Sequence, residues 1–105
     1  MALPTGAFVI GRSFRVPGLG LLVRPIAPAP AWLASAELHA ALALRLHRPG
    51  QPPLTLPATV EELAPADEPP SRALLLDADP GGALPPGAWL EILAASENSN
   101  AEALL

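Results

Sequence analysis

The chain has 105 residues, enough for one small domain and too few for two cores. Half of the residues are apolar, only 15% are charged and 15 are prolines, against about 25% charged residues and about 5% proline in an average protein. The apolar content excludes an acidic disordered tail, the prolines disfavour long helices, and the net charge of −4 opposes general phosphate binding. The chain has no cysteine and no lysine, which excludes a disulfide scaffold, a thiolate site, and P-loop or Schiff-base chemistry.

The first predicted element is a hairpin. Residues 7–16 form a strand in which the large apolar side chains share one parity, interrupted by Arg12: Phe8, Ile10, Phe14 and Val16. A Pro-Gly-Leu-Gly turn at residues 17–20 leads into a second apolar run at residues 21–26. A hairpin is the simplest connection between two such strands.

Residues 31–48 are ambiguous between helix and strand. Residues 31–37 contain the helix formers Ala and Leu and are compatible with a short helix. The leucines that follow alternate with polar residues, which indicates a half-buried strand that contains on one face Leu38, Leu42, Leu44 and Leu46.

Three further strands are predicted after a Pro/Gly turn at residues 48–53. Residues 54–61 alternate, with Pro57 indicating an edge or a bulge. Residues 72–77 are a continuous apolar run typical of a strand buried on both faces, and residues 88–93 form the last strand. We therefore expect an all-β fold, a small closed antiparallel β-barrel of about six strands, over residues 1–94, with a C-terminal tail at residues 95–105.

Segments that correspond to three parts of the domain, taken in order, resemble the second domain of elongation factor Tu and its translation-factor relatives. Residues 14–23 are similar to the hairpin that opens that domain, residues 42–46 and 59–63 look like its middle strands, and residues 84–90 look like its closing element. The resemblance covers residues 8–93 and implies the same barrel.

The sequence departs from that family in three ways. Leu19 stands between the two turn glycines, where the family often has an arginine, and Ala36 and Glu37 replace the glycine-aspartate before the third strand. The GTPase domain, on which the family's barrel packs while it helps to hold a transfer RNA end, is absent from these residues. The resemblance therefore implies the fold and not the activity.

No catalytic or metal constellation is evident. His39 and His47 share a strand parity, and their spacing would place them about 26 Å apart, too far for one metal ion. Either could pair with Glu61 or Glu62, but we expect isolated histidines that face solvent, because no metal-ligand spacing is present. Those two glutamates would lie on opposite faces of their strand, a poor arrangement for acid and base catalysis. We expect no enzyme activity, no cofactor and no metal.

The charges are unevenly distributed. Residues 1–50 hold five arginines and one glutamate, net +4, and residues 51–105 hold one arginine and nine acids, net −8. We expect the two halves to complement each other within one barrel rather than to form a basic binding face. Trp89 is predicted to be a core residue, and Trp32 either caps the barrel end or serves as an exposed anchor.

The low charged fraction is expected to leave an apolar patch exposed, and such patches usually contact another protein. The first hypothesis is a non-enzymatic protein-interaction or assembly module, binding a protein partner or another copy of itself, with Trp32, Leu104 and Leu105 as candidate contacts. The alternative is an RNA-binding or ribosome-associated accessory that uses Arg45 and Arg48, with His47 between them. With no signal segment and no apolar run long enough to span a bilayer, we expect a cytoplasmic protein without a membrane partner.

Overall fold

A computed structural model of the chain describes residues 6–26, 29–77 and 84–95. It contains six strands and one short helix, in the order β1 (Phe8–Val16), β2 (Gly20–Pro25), α1 (Ala31–Ala34), β3 (Ala41–His47), β4 (Leu54–Leu63), β5 (Ser71–Leu76) and β6 (Trp89–Ala95). The strands pair antiparallel as a closed barrel in the order β1-β2-β5-β4-β3-β6. The predicted all-β fold class, a small closed antiparallel barrel, is confirmed.

Alternating leucines and valines fill the barrel interior. In β3, Leu42, Leu44 and Leu46 are buried while the residues between them are more exposed. The same alternation holds in β4, where Leu56, Ala58 and Val60 face inward. The described residues include no buried polar or charged residue, so the interior is filled by apolar side chains whose burial stabilises the barrel.

The β1–β2 hairpin is confirmed, but the predicted common face of β1 is wrong. A β-bulge at Gly11 shifts the register, because Ile10 pairs with Pro25 and Arg12 pairs with Arg24. A bulge inserts one residue, so every side chain beyond it changes face. Phe8 and Ile10 pack in or against the core before the bulge.

After the bulge, the odd-numbered residues of β1 have the inward parity. Ser13 lies opposite Val23, and Arg15 lies opposite Leu21 at the end of the strand; both β2 partners belong to the core. Phe14 pairs instead with Leu22 on the outer surface, and 42% of its surface is exposed. A glycine within a strand is the sequence signal for such a bulge.

The short helix α1 lies in the β2–β3 connection and contributes Leu33, which is fully buried in the core cluster. Trp32 packs against this cluster, with its ring centroid 6.3 Å from that of Phe8. Its indole N–H donates to the Gly6 carbonyl at 2.8 Å. The helix alternative for this segment is confirmed at Ala31–Ala34, and Trp32 covers one end of the barrel rather than standing free.

The strand predicted to contain Leu38 begins only at Ala41. Leu38 is exposed in a turn, and His39 has a positive φ of 67°, outside the range of regular strand backbone. His39 therefore does not share a strand face with His47, and the prediction that it does is wrong. The favoured interpretation of His39 as an isolated histidine is also wrong, since its Nδ1 lies 3.3 Å from a carboxylate oxygen of Glu61, the less favoured alternative.

Pro57 lies where β4 loses its β5 partner. Ala58 pairs with Leu76, the last residue of β5, and the Asp77 N–H donates to the Pro57 carbonyl at 2.9 Å. A proline has no N–H to offer in return, so it fits at the end of this ladder. β4 is paired on both sides and its register with β3 has no bulge at Pro57, so the prediction of an edge strand or a bulge is wrong. Pro57 lies only at the local end of the β4–β5 ladder.

The prediction that β5 is buried on both faces holds only in part. Ala73, Leu74 and Leu76 are buried, but Leu75 and Arg72 are partly exposed. Leu75 has the outer parity of β5, opposite Leu22. A closed barrel leaves the outer side of each strand to solvent unless another element covers it.

Candidate functional site

Two neighbouring strands place four side chains together on the outer wall, and we call these residues the His47 cluster. Arg45 pairs with Glu91 and His47 pairs with Trp89 across β3 and β6. All four have the outer parity, because the leucines between them lie in the core. Arg45 and His47, both candidates from the sequence, are therefore brought together. The prediction that Trp89 is a core residue is wrong, since it is only partly buried on the outer wall.

The contacts within the His47 cluster are close. The rings of His47 and Trp89 stack with centroids 3.8 Å apart and planes at 6°. The His47 Nε2 lies 2.8 Å from Glu91 Oε1, and Arg45 Nη1 lies 3.8 Å from the same oxygen. Stacking and the carboxylate together fix the orientation of His47, so the cluster joins β3 to β6 by its own internal bonds.

None of the other sequence candidates belongs to the contacts described for this cluster. Trp32 is at the barrel end, with its indole N–H already bonded to the Gly6 carbonyl. Arg48 directly follows β3 and is partly buried. Leu104 and Leu105 lie outside the described residues. Of the four candidates that lie within the described residues, the structure brings Arg45 and His47 together and places Trp32 elsewhere.

The expected complementarity between the two halves of the chain is present within the barrel. Arg24 of the first half lies 3.8 Å from Glu68 of the second, and Arg45 lies 3.8 Å from Glu91. His39 of the first half also contacts Glu61 of the second. Because these partly exposed pairs are individually weak, their main consequence is that several basic groups of the first half are committed to internal partners.

An apolar strip crosses the outer side of the hairpin and its neighbour, and we call it the apolar wall: Phe14, Leu19, Leu22 and Leu75. Phe14 pairs with Leu22, and Leu22 pairs with Leu75, so three strands contribute adjacent side chains. Leu22 is buried but is not part of the core cluster, which includes its neighbours Leu21 and Val23. Leu19, in the hairpin turn, is 59% exposed.

A shallow groove of about 320 Å³ continues the apolar wall toward β3. The groove is lined by one acidic residue and six others that present carbon-rich surface, namely Leu19, Ala41, Pro57, Ala58, Thr59, Leu75 and Asp77. Carbon-rich concave surface of this kind loses ordered water when a partner covers it. The sequence reasoning missed this surface because it placed Phe14 on the inner face and did not single out Leu22 or Leu75.

Within the described residues, no three His, Asp or Glu side chains are placed to hold a metal ion. Glu61 and Glu62 do face opposite sides of β4, as expected, since Glu61 pairs with Ala73 and Glu62 with Arg72 on successive positions. Glu62 accepts a 2.9 Å hydrogen bond from Arg72, so it is engaged in an ion pair.

Comparison with known proteins adds no assignment. No protein-family model, no curated protein and no solved structure matches the chain. None of the helices formed by the described residues has the length and apolar character required to span a bilayer. The resemblance to the second domain of translation factors stays a prediction that rests on the sequence.

Proposed function

We propose that this chain is a non-enzymatic protein-interaction module that docks a protein partner on the apolar wall. The observation that carries the proposal is the outward position of Phe14 beyond the Gly11 bulge, next to Leu22 and Leu75. Phe14 has the aliphatic Leu22 and Leu75 beside it across β2 and β5, and Arg12 and Arg24 lie next along the same face at the rim of this strip. This combination is characteristic of the centre of a protein interface.

Burial under a partner would be favourable for this surface. Phe14 is 42% exposed and Leu19 is 59% exposed, so covering what remains of each side chain contributes about 1 kcal/mol. The strands beneath are held by the barrel's hydrogen bonds, so few degrees of freedom are lost when a partner docks. A rigid apolar strip of this size suits a segment of a partner better than a broad obligate interface.

The RNA-binding alternative would use the His47 cluster and receives less support. Arg45 lies beside the stacked His47 and Trp89 rings, an arrangement that resembles a base-stacking platform. Glu91 is bonded within the cluster, and its carboxylate would repel a phosphate placed next to Arg45. The overall charge of −4 acts in the same direction.

The test is affinity retrieval of the tagged protein from its native lysate, with and without nuclease, followed by mass spectrometry. The informative variant is Phe14→Ser, and the matched control is Leu93→Ser. Leu93 lies on β6 and is 39% exposed, close to the value for Phe14, but it is not part of the apolar wall. Circular dichroism and light scattering establish that both variants fold and report their oligomeric state.

We expect one protein partner to be retrieved in both nuclease conditions, lost with Phe14→Ser and kept with Leu93→Ser. Equal retrieval by the two variants would refute the apolar wall as the docking surface. Retrieval that disappears on nuclease treatment would favour the RNA alternative, and Arg45 would then be the residue to change. Self-association that is lost with Phe14→Ser would identify the partner as a second copy.

A further inference from the structure

The seam between β1 and β6 opens after two residues. Phe8 pairs with Leu90 and Val9 with Trp89, and the Ile10 N–H donates to the Ala88 carbonyl at 3.0 Å. The other edge of β1 continues to pair with β2 as far as Val16. Among the described residues, no strand pairs with the β6-side edge of β1 from Gly11 onward. An open strand edge is a template for pairing with another chain.

A groove lies where the seam opens. It has a volume of about 440 Å³ and is bordered on one side by β1 residues 9–13 and on the other by residues 84–87. Ile26 lines the groove and is 66% exposed, and Leu84 and Pro86 provide further apolar surface. The groove therefore runs along backbone that can pair and beside side chains that favour an apolar contact.

The charge next to this groove is positive and poorly compensated. Arg12 and Arg24 are register partners on β1 and β2, so two like charges lie directly opposite each other. This arrangement is destabilising in a sheet. Arg24 is 3.8 Å from Glu68 and donates to the Ser71 hydroxyl at 3.3 Å. Arg12, also at the groove, is exposed and has no ion pair within the described residues.

These three observations indicate what the groove would bind. We infer that an extended segment of the partner protein adds as a strand to the open edge of β1, with an acidic side chain opposite Arg12. The inference deepens the proposed function and rests on it. Side chains in a strand alternate between faces, so the residue two positions from the acid lies opposite Phe14 and is apolar. The recognised pattern is therefore an acidic residue, any residue, then an apolar residue.

The probe is a capped peptide with the sequence Thr-Val-Thr-Glu-Thr-Val-Thr, which presents the pattern in both strand directions. One control peptide replaces the Glu with Lys. A second replaces the two Thr residues that flank the Glu with Pro, which removes backbone donors without changing the charge. Binding is measured from amide chemical shifts of the full chain as the peptide is titrated to millimolar concentration.

We expect saturable shifts confined to β1 residues 11–16 and to the groove residues 26 and 84–87. We expect the Lys and Pro peptides to bind more weakly by about tenfold or more, equivalent to about 1.4 kcal/mol. Arg12→Glu should weaken binding of the Glu peptide by a similar factor and strengthen binding of the Lys peptide. Arg45→Glu, on β3, changes the net charge equally and should leave the affinity unchanged. Retained folding of both variants is read from the same spectra.

The inference is overturned by equal binding of the Glu and Lys peptides, by shifts away from both β1 and the groove, or by no shift at millimolar peptide. Full binding of the Pro peptide would also overturn it, because charge alone would then account for the affinity. These failures are distinguishable from failure of the proposed function. If Phe14→Ser loses the partner but the peptide causes no chemical-shift change, the apolar wall remains the docking surface and strand addition to β1 is refuted.

Discussion

The Gly11 bulge decides which side chains reach the outer surface, and Gly11→Ala tests it directly. A Cβ at this position would lie 2.7 Å from the Ile26 Cα and 3.1 Å from the Pro25 carbonyl oxygen. Carbon atoms pack favourably at about 3.5–4.0 Å. The neighbouring β2 backbone must therefore move by nearly 1 Å, and it is hydrogen-bonded to β1, since the Ile26 N–H donates to the Val9 carbonyl.

The expected loss of stability follows from two opposing contributions. Overpacking that displaces backbone costs about 1–3 kcal/mol. Replacing glycine restricts the unfolded chain and returns about 0.4–1 kcal/mol. We expect a net loss of about 1–2 kcal/mol in the free energy of unfolding, which lowers the urea midpoint by about 1 M for a domain of this size.

The assay is equilibrium urea unfolding followed by tryptophan fluorescence, because Trp32 at the barrel end and Trp89 on the outer wall report on separate regions. Ser13→Ala is the control on the same strand, expected to change stability by less than about 0.5 kcal/mol. If Gly11→Ala were as stable as the unmodified chain or more so, the close approach to Ile26 would be refuted. The change of face at the bulge would then lose its physical basis.

Three other substitutions test the remaining contacts by the same unfolding measurement. Leu33→Ala should cost about 2–5 kcal/mol because it leaves a cavity where the α1 side chain packs in the core. A loss below about 1 kcal/mol would mean that α1 does not pack against the barrel. Trp32→Phe keeps the ring against Phe8 but removes the hydrogen bond to Gly6, so we expect a loss of about 1 kcal/mol. No loss with Trp32→Phe would contradict the capping contact. His47→Ala should cost about 1–2 kcal/mol and change the Trp89 emission, because both the stack and the Glu91 contact are lost. Arg45→Ala removes a longer and more exposed contact with Glu91 and should change stability by less than about 0.5 kcal/mol. Equal losses in the two variants would contradict this ranking.

Local sequence signals were sufficient for most of the barrel. The alternation of leucines in β3 and β4 predicted their inner faces, because a closed barrel has one apolar side and the period of a strand is two. The turn glycines predicted the hairpin, since Gly18 adopts a φ of 81° that other residues rarely adopt. The helix formers at residues 31–37 predicted the possible short helix, and one helical turn does form there before β3 begins.

The candidate site was less accessible to sequence reasoning. Arg45 and His47 were recognised, but their partners Trp89 and Glu91 lie more than 40 residues along the chain. Only the pairing of β3 with β6 brings them together, and it is this pairing that turns Trp89 outward. The apolar wall depended on one inserted residue, which reverses the face of Phe14 without altering the composition of the strand.

The sequence by itself determined the size, the all-β class and the inner face of most strands, because these depend on composition, on turn residues and on a period of two. The tertiary structure decided which apolar residues remain outside and which charges have partners. Both depend on register between strands that are distant in the chain, and a single bulge or a short seam changes that register. Phe14 is exposed and Arg12 lacks an ion pair among the described residues for this reason, although neither residue is unusual in its local sequence.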